Sequence, residues 1–219
     1  HKSKYNKDMF NESKIKIIGV GCGGCNIVNH IYELGYKKNS FAVCETDAMV
    51  LNRSKIPVKL QLGSNGFGSG NVPSAGKEAA ENAVSEIQSI LKENAPQTVF
   101  IVSCFGGGCG TGAAPIIACE SRKLDLNTIG IIVLPFDFEG THKFNQALDG
   151  VREMAKHTDA IFLFNNQYLM RDKKDTPLSH AFESADNLIS DIIKCISNFT
   201  TRPSKAQKRI NWLKLFEDL

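Results

Sequence analysis

No apolar run in this 219-residue chain approaches the ~18 residues that a membrane-spanning helix needs. The polar opening HKSKYNKDMFNESK has no apolar segment of the kind that heads a secreted protein, so a soluble, cytoplasmic protein is expected. Charge of one sign is also scarce: 26 Lys and Arg against 23 Asp and Glu leave +3. That excess is too small for a general basic field, and no nucleic-acid partner is expected. Internal repeats and low-complexity tracts are missing, which excludes solenoids and disordered linkers. Cysteine is present, seven times, but its number is odd and the chain is long enough to bury its own core. Reduced thiols acting as small apolar residues are the expectation. Cys22 and Cys25 form a CxxC that can be read as a redox or metal pair. No second CxxC or close His completes a metal set, so no metal-ligating residues are expected.

What is present is an alternation. Apolar runs at 14–20, 40–44, 57–62, 98–103, 128–134 and 160–164 read as strands. Helical patterns read near 24–34, 74–93, 112–123, 141–157 and 177–200. The strand runs are continuously apolar instead of alternating, which suits strands covered on both faces. The fold class expected is α/β, a Rossmann-like parallel sheet with helices on both faces.

Two glycine clusters, GVGCGGCN at 19–26 and GGGCGTG at 106–112, fall where strands lead into helices. In such sheets ligands bind at the carboxyl ends of the strands, so both clusters are expected on one rim. A glycine loop opening a helix presents backbone N–H groups and the positive end of the helix dipole to an anion. Two explanations stay open: a phosphate cradle, to which Thr111 adds a hydroxyl, or close helix–strand packing. The first cluster also satisfies GxGxxG, with Glu45 and Asp47 near the distance of a ribose-binding carboxylate, so a nicotinamide-dependent Rossmann oxidoreductase is an alternative.

The second cluster makes the resemblance specific. GGGCGTG differs at one position from the GGGTGTG signature of the tubulin/FtsZ family, and IIGVGCGGCNIVN, ETDAMVL, GFGSGNVPSAGKEAAE, LPFDFEG and AFESADN resemble further FtsZ segments in order. The resemblance implies a GTPase domain that binds GTP or GDP with Mg2+ and ends in a long central helix. It implies a tail at 1–13, a GTP-binding domain at 14–200 and a basic amphipathic segment at 201–219. It assigns Gly21, Cys22 and Asn26 to the first loop, with Asn26 near the guanine. Gly106, Gly107, Gly108, Gly110, Thr111 and Gly112 wrap the phosphates, and Gly70 and Asn71 approach the terminal phosphate. Asp47 positions the magnesium shell, Glu139 accepts from the ribose, Asn166 and Asn187 read the base, and Phe182 stacks on it. Gly108→Val is accordingly expected to abolish nucleotide binding in a protein whose fold is kept.

Departures from the family pattern qualify these roles. Asp186-Asn187 stands where FtsZ commonly has Asn-Asp, and Lys143 stands near the usual arginine, a point charge in place of a bidentate fork. The acidic loop after the central helix is altered, leaving Glu217 or Asp218 as the candidate catalytic group. Residues 202–219 hold five basic and two acidic side chains, with Trp212, Leu215, Phe216 and Leu219 on one face of a helix. That segment fits an anionic membrane surface, its own domain or the next subunit. The functional expectation is an FtsZ-like GTP-binding protein that self-associates in bacterial cell division or membrane remodelling. The alternative is a GTP-binding switch that does not hydrolyse.

Overall fold

The computed structural model describes residues 15–35, 40–165 and 187–193. Six parallel strands form one sheet in the order β3-β2-β1-β4-β5-β6. They are β1 (Ile15–Val20), β2 (Ser40–Glu45), β3 (Val58–Gln61), β4 (Thr98–Cys104), β5 (Asn127–Leu134) and β6 (Ala160–Asn165). All six match the apolar runs read from the sequence. β1 and β4 are buried almost throughout, which is why their hydrophobicity is continuous.

The order reverses between β1 and β4, whose residues pair from Ile15↔Thr98 to Val20↔Ser103. Loops leaving these two strands in opposite directions open a crevice between them, the usual ligand position in such sheets. Buried Ser103 fixes its floor by donating from Oγ to the Val20 carbonyl at 2.9 Å.

The helices are α1 (Gly21–Glu33), α2 (Ala48–Arg53), α3 (Pro73–Glu81), α4 (Val84–Lys92), α5 (Gly108–Lys123) and α6 (Thr141–Ala155). Two cores follow from their placement. Ile18, Val20, Ile101, Ile117, Ala113 and Met154 belong to the core beneath α3–α6, while Ile17, Val28, Phe100, Ile131 and Ile189 belong to the one beneath α1 and the helical residues 187–193.

Three helix boundaries differ from expectation. The single helix read over 74–93 is two, with a break at Asn82 and Ala83. α1 and α5 begin at Gly21 and Gly108, so each glycine cluster runs from before the helix into its first turns. α2 was not expected; it is six residues long and starts from the Asp47 cap, whose carboxylate accepts from Met49 N–H at 2.8 Å. The central helix read over 177–200 is described only at 187–193, and the segments 1–13 and 201–219 lie outside the described residues. Among the described residues no helix is long and apolar enough to cross a membrane.

Candidate functional site

The two glycine clusters do meet on one rim. A Cβ placed on Gly21 would lie 2.8 Å from Gly110 N, and one on Gly108 would lie 2.7 Å from Val72 N. The first turns of α1, α3 and α5 therefore touch. None of the three has a side-chain cap or an acidic residue in its first turn. Three positive helix ends thus meet with no acidic residue in their own first turns, an arrangement that favours an anion, with the Glu45 carboxylate as the acidic group nearby.

The glycines divide between the two explanations left open by the sequence. Cβ atoms at Gly110 and Gly112 would stand 2.6 Å from the Cys104 carbonyl and 2.6 Å from Lys77 N, so these two residues, with Gly108, permit close packing of α5 on β4 and α3. Gly106 holds a left-handed φ of +107°. Gly107 is different: its backbone is extended, and the nearest atom to an added Cβ is Asn71 Oδ1 at 3.8 Å. It is the position in this cluster with room for a Cβ. The Gly108→Val expectation needs correction on one point, because the valine would strike Ser69 and the Val72 backbone before it met any ligand.

Thr111 is buried, and its hydroxyl accepts from Gly106 N–H at 2.9 Å, so it staples the loop. Gly70 and Asn71 are exposed, both with φ near +60°. Gln146, on α6, donates to the carbonyls of Asn71 (3.1 Å) and Gly106 (2.9 Å), linking this loop to the phosphate-loop candidate. No sequence pattern marks that glutamine. Glu139 accepts from Phe136 N–H at 2.9 Å and pairs with Lys143 at 3.2 Å, so these two candidates satisfy each other.

On α1, Cys22 and Asn26 are exposed one turn apart, with Asn26 Nδ2 3.9 Å from Cys22 Sγ. His30 continues the same face, and its Nε2 lies 3.3 Å from Asn187 Oδ1. The structure therefore brings Asn26 and Asn187 to one side of α1, and the spacing of four from Asn26 was the signal by which His30 might have been found. Asn166, Phe182, Glu217 and Asp218 lie outside the described residues.

Cys25 is buried and donates toward the Gly19 and Cys44 carbonyls, away from exposed Cys22, so the CxxC does not act as a pair. Burial pushes the Cys44 thiol up to about 12 and raises Cys25, Cys109 and Cys22 as well, with Glu45 adding to the last three. These thiols stay protonated at neutral pH. Glu45 itself is buried, its Oε1 accepting from Thr46 N–H at 2.6 Å, the Thr46 hydroxyl at 2.9 Å and Asp47 N–H at 3.2 Å. Of the two acidic residues on which the oxidoreductase alternative rested, Glu45 is thus engaged within the protein, and Asp47 caps α2. Among the described residues no group of three or more His, Cys, Asp and Glu could hold a metal.

The model of the tubulin/FtsZ family GTPase domain matches residues 14–174. This chain belongs to the tubulin/FtsZ family. It is 43% identical over 180 residues to the cell division protein FtsZ of Porphyromonas gingivalis, covering 81% of this chain and 39% of that one. With FtsZ of Aquifex aeolicus the identity is 34% over 202 residues, covering 90% and 54%. The chain thus spans about half, or less, of these relatives' length. Among solved structures, the empty FtsZ dimer of M. jannaschii superposes with a TM-score of 0.79 at 30% identity, covering 92% of this chain and 59% of that one. The GTPγS-bound CetZ2 protofilament of Haloferax volcanii shares the fold, with a TM-score of 0.78 at 21% identity and coverages of 90% and 62%.

Proposed function

We propose that the rim binds a guanine nucleotide and that the chain is the nucleotide-binding part of a self-associating FtsZ-like protein in cell division or membrane remodelling. The observation that carries this reading is the meeting of three helix N-termini without side-chain caps at the β1/β4 crevice, around the first turn of α5. In it, the amides of 107, 108 and 110 face the phosphates, while Gly106, its N–H held by Thr111, and Gly112, packed on α3, hold the loop and helix in place. Gly21 and Cys22 complete the wall, Gly70 and Asn71 meet the terminal phosphate, and Glu139 and Lys143 exchange their mutual pair for the ribose and phosphate. Asn26 and Asn187 flank the base, joined by Asn166 and Phe182.

Magnesium fits as an ion held mainly by phosphates and water, since such sites use one or two carboxylates and keep several waters. Asp47 can supply one oxygen, the other being engaged at the α2 cap. Self-association draws on the dimer and protofilament named above and on the apolar rim. Phe67, on the loop after β3, is 90% exposed, and Met49 on α2 and Phe138 in the turn after β5 also stand out at the same end of the sheet. A second copy seated there would cover them and bring Glu217 or Asp218 to the nucleotide for hydrolysis.

Titration calorimetry of the purified chain with GTP, GDP and ATP, with and without Mg2+, tests the binding claim. GTP and GDP are expected to bind at least tenfold more tightly than ATP, a margin of about 1.4 kcal/mol. Equal affinity for ATP would remove the base assignment, and no binding of any nucleotide would remove the site.

A further inference from the structure

We infer that Gln146 is a positioning residue that aims the Gly107 N–H into the crevice and couples the loop at 69–72 to the phosphate loop. The inference takes its ligand from the nucleotide reading above, while its mechanism follows from geometry. The side-chain amide of Gln146 carries two N–H donors, and its nitrogen lies 2.9 Å from the Gly106 carbonyl and 3.1 Å from the Asn71 carbonyl. A peptide group is planar and trans, so its C=O and N–H point in opposite directions. Holding the Gly106 carbonyl toward α6 therefore turns the N–H of Gly107 away from α6, at the glycine of this cluster that has room for a Cβ.

On the other loop the same clamp holds a strained turn. Gly70 and Asn71 have φ of 59° and 61°, and the following Val72 N–H donates to the Ser69 carbonyl at 3.0 Å. Asn tolerates the left-handed region only at a cost, and such conformations persist where neighbours hold them. With Gly106 at 107°, two left-handed residues on two loops, Asn71 and Gly106, meet one side-chain nitrogen. A terminal phosphate that displaced the loop at 69–72 would change the Gln146 bond to Asn71, and through its second bond the direction of the Gly107 N–H. The clamp thus gives the site a means to respond differently to a nucleoside triphosphate and a diphosphate.

Gln146→Glu keeps the shape but sets carboxylate oxygens against two carbonyls; Gln146→Lys restores N–H donors at similar reach. Two measurements on the full 219-residue chain decide the matter: hydrogen exchange of amides 69–72 and 106–108 without nucleotide, and calorimetric affinities for GTP with Mg2+ and for GDP. In Gln146→Glu, exchange is expected to rise in both loops. Its GTP affinity should fall about tenfold and its GDP affinity by clearly less, with Gln146→Lys recovering most of the loss. A general structural defect would lower both affinities alike. A folded Gln146→Glu protein with unchanged exchange, or with an unchanged ratio of GTP to GDP affinity, overturns the inference. If the wild-type chain binds neither nucleotide, the reading of the site falls, and unchanged or raised exchange still decides whether Gln146 holds the two loops.

Discussion

At the scale of the residue, adjacent glycines do different work. Gly107 has φ −92° and ψ −179°, which any residue adopts, and an added Cβ there would meet only Asn71 Oδ1, at 3.8 Å. Replacing it with alanine should leave the melting temperature at or slightly above wild type, because alanine restricts the unfolded chain. GDP affinity, measured by titration, should drop at least about tenfold, since the methyl group stands between the amides and the phosphates. Gly108→Val should instead cost about 1–3 kcal/mol or more of stability, read by urea unfolding, because the side chain meets the Val72 backbone. Wild-type GDP affinity in folded Gly107→Ala protein would show that this face holds no phosphate. The glycines were legible in the sequence as a cluster; their division of labour was not, because it depends on what lies across from each Cα.

The helices show how local sequence and packing divide the decision. α2 carries a good signal, an Asp followed by AMVLNR, but its six residues are too few for a periodic pattern to stand out. α1 and α5 start earlier than their apolar patterns, because glycine lacks helix propensity yet close packing on neighbouring elements accepts nothing larger. Asp47 has a structural duty at the α2 cap and a proposed one near magnesium, and two substitutions separate them. Asp47→Ala should lose about 1 kcal/mol in urea unfolding, whereas Asp47→Asn, an equally good cap, should lose little. If the carboxylate serves the metal, Asp47→Asn should still weaken GTP binding in Mg2+ while leaving magnesium-free GDP binding unchanged. An Asp47→Asn protein identical to wild type in both would leave Asp47 with the cap alone.

For the whole molecule, the proposed nucleotide rim is also the end that exposes Phe67, Phe138 and Met49, so binding and assembly are expected to be linked. Phosphate release from GTP, measured per chain over a wide concentration range, should rise with concentration if one copy completes the site of the next. Glu217→Gln or Asp218→Asn should then abolish the rise without weakening GTP binding. Release that stays at zero at every concentration, with GTP bound, would mark the chain as a nucleotide-holding switch and set aside the proposed catalytic role of its altered acidic segment.

The sequence by itself determined the six parallel strands, the α/β class and the glycine clusters on one rim, because these follow from apolar runs and chain order, which are local properties. It also determined the family, through motifs in a fixed order, and the family model matches residues 14–174. Only the tertiary structure decided that Gly107 is the open glycine, that Thr111 and Glu45 are engaged within the protein, and that Gln146 and His30 reach across to the loop at 71 and to Asn187. Those facts depend on contacts between residues far apart in the chain, and no pattern along the sequence records which side chains the packing of α5 and α6 brings face to face.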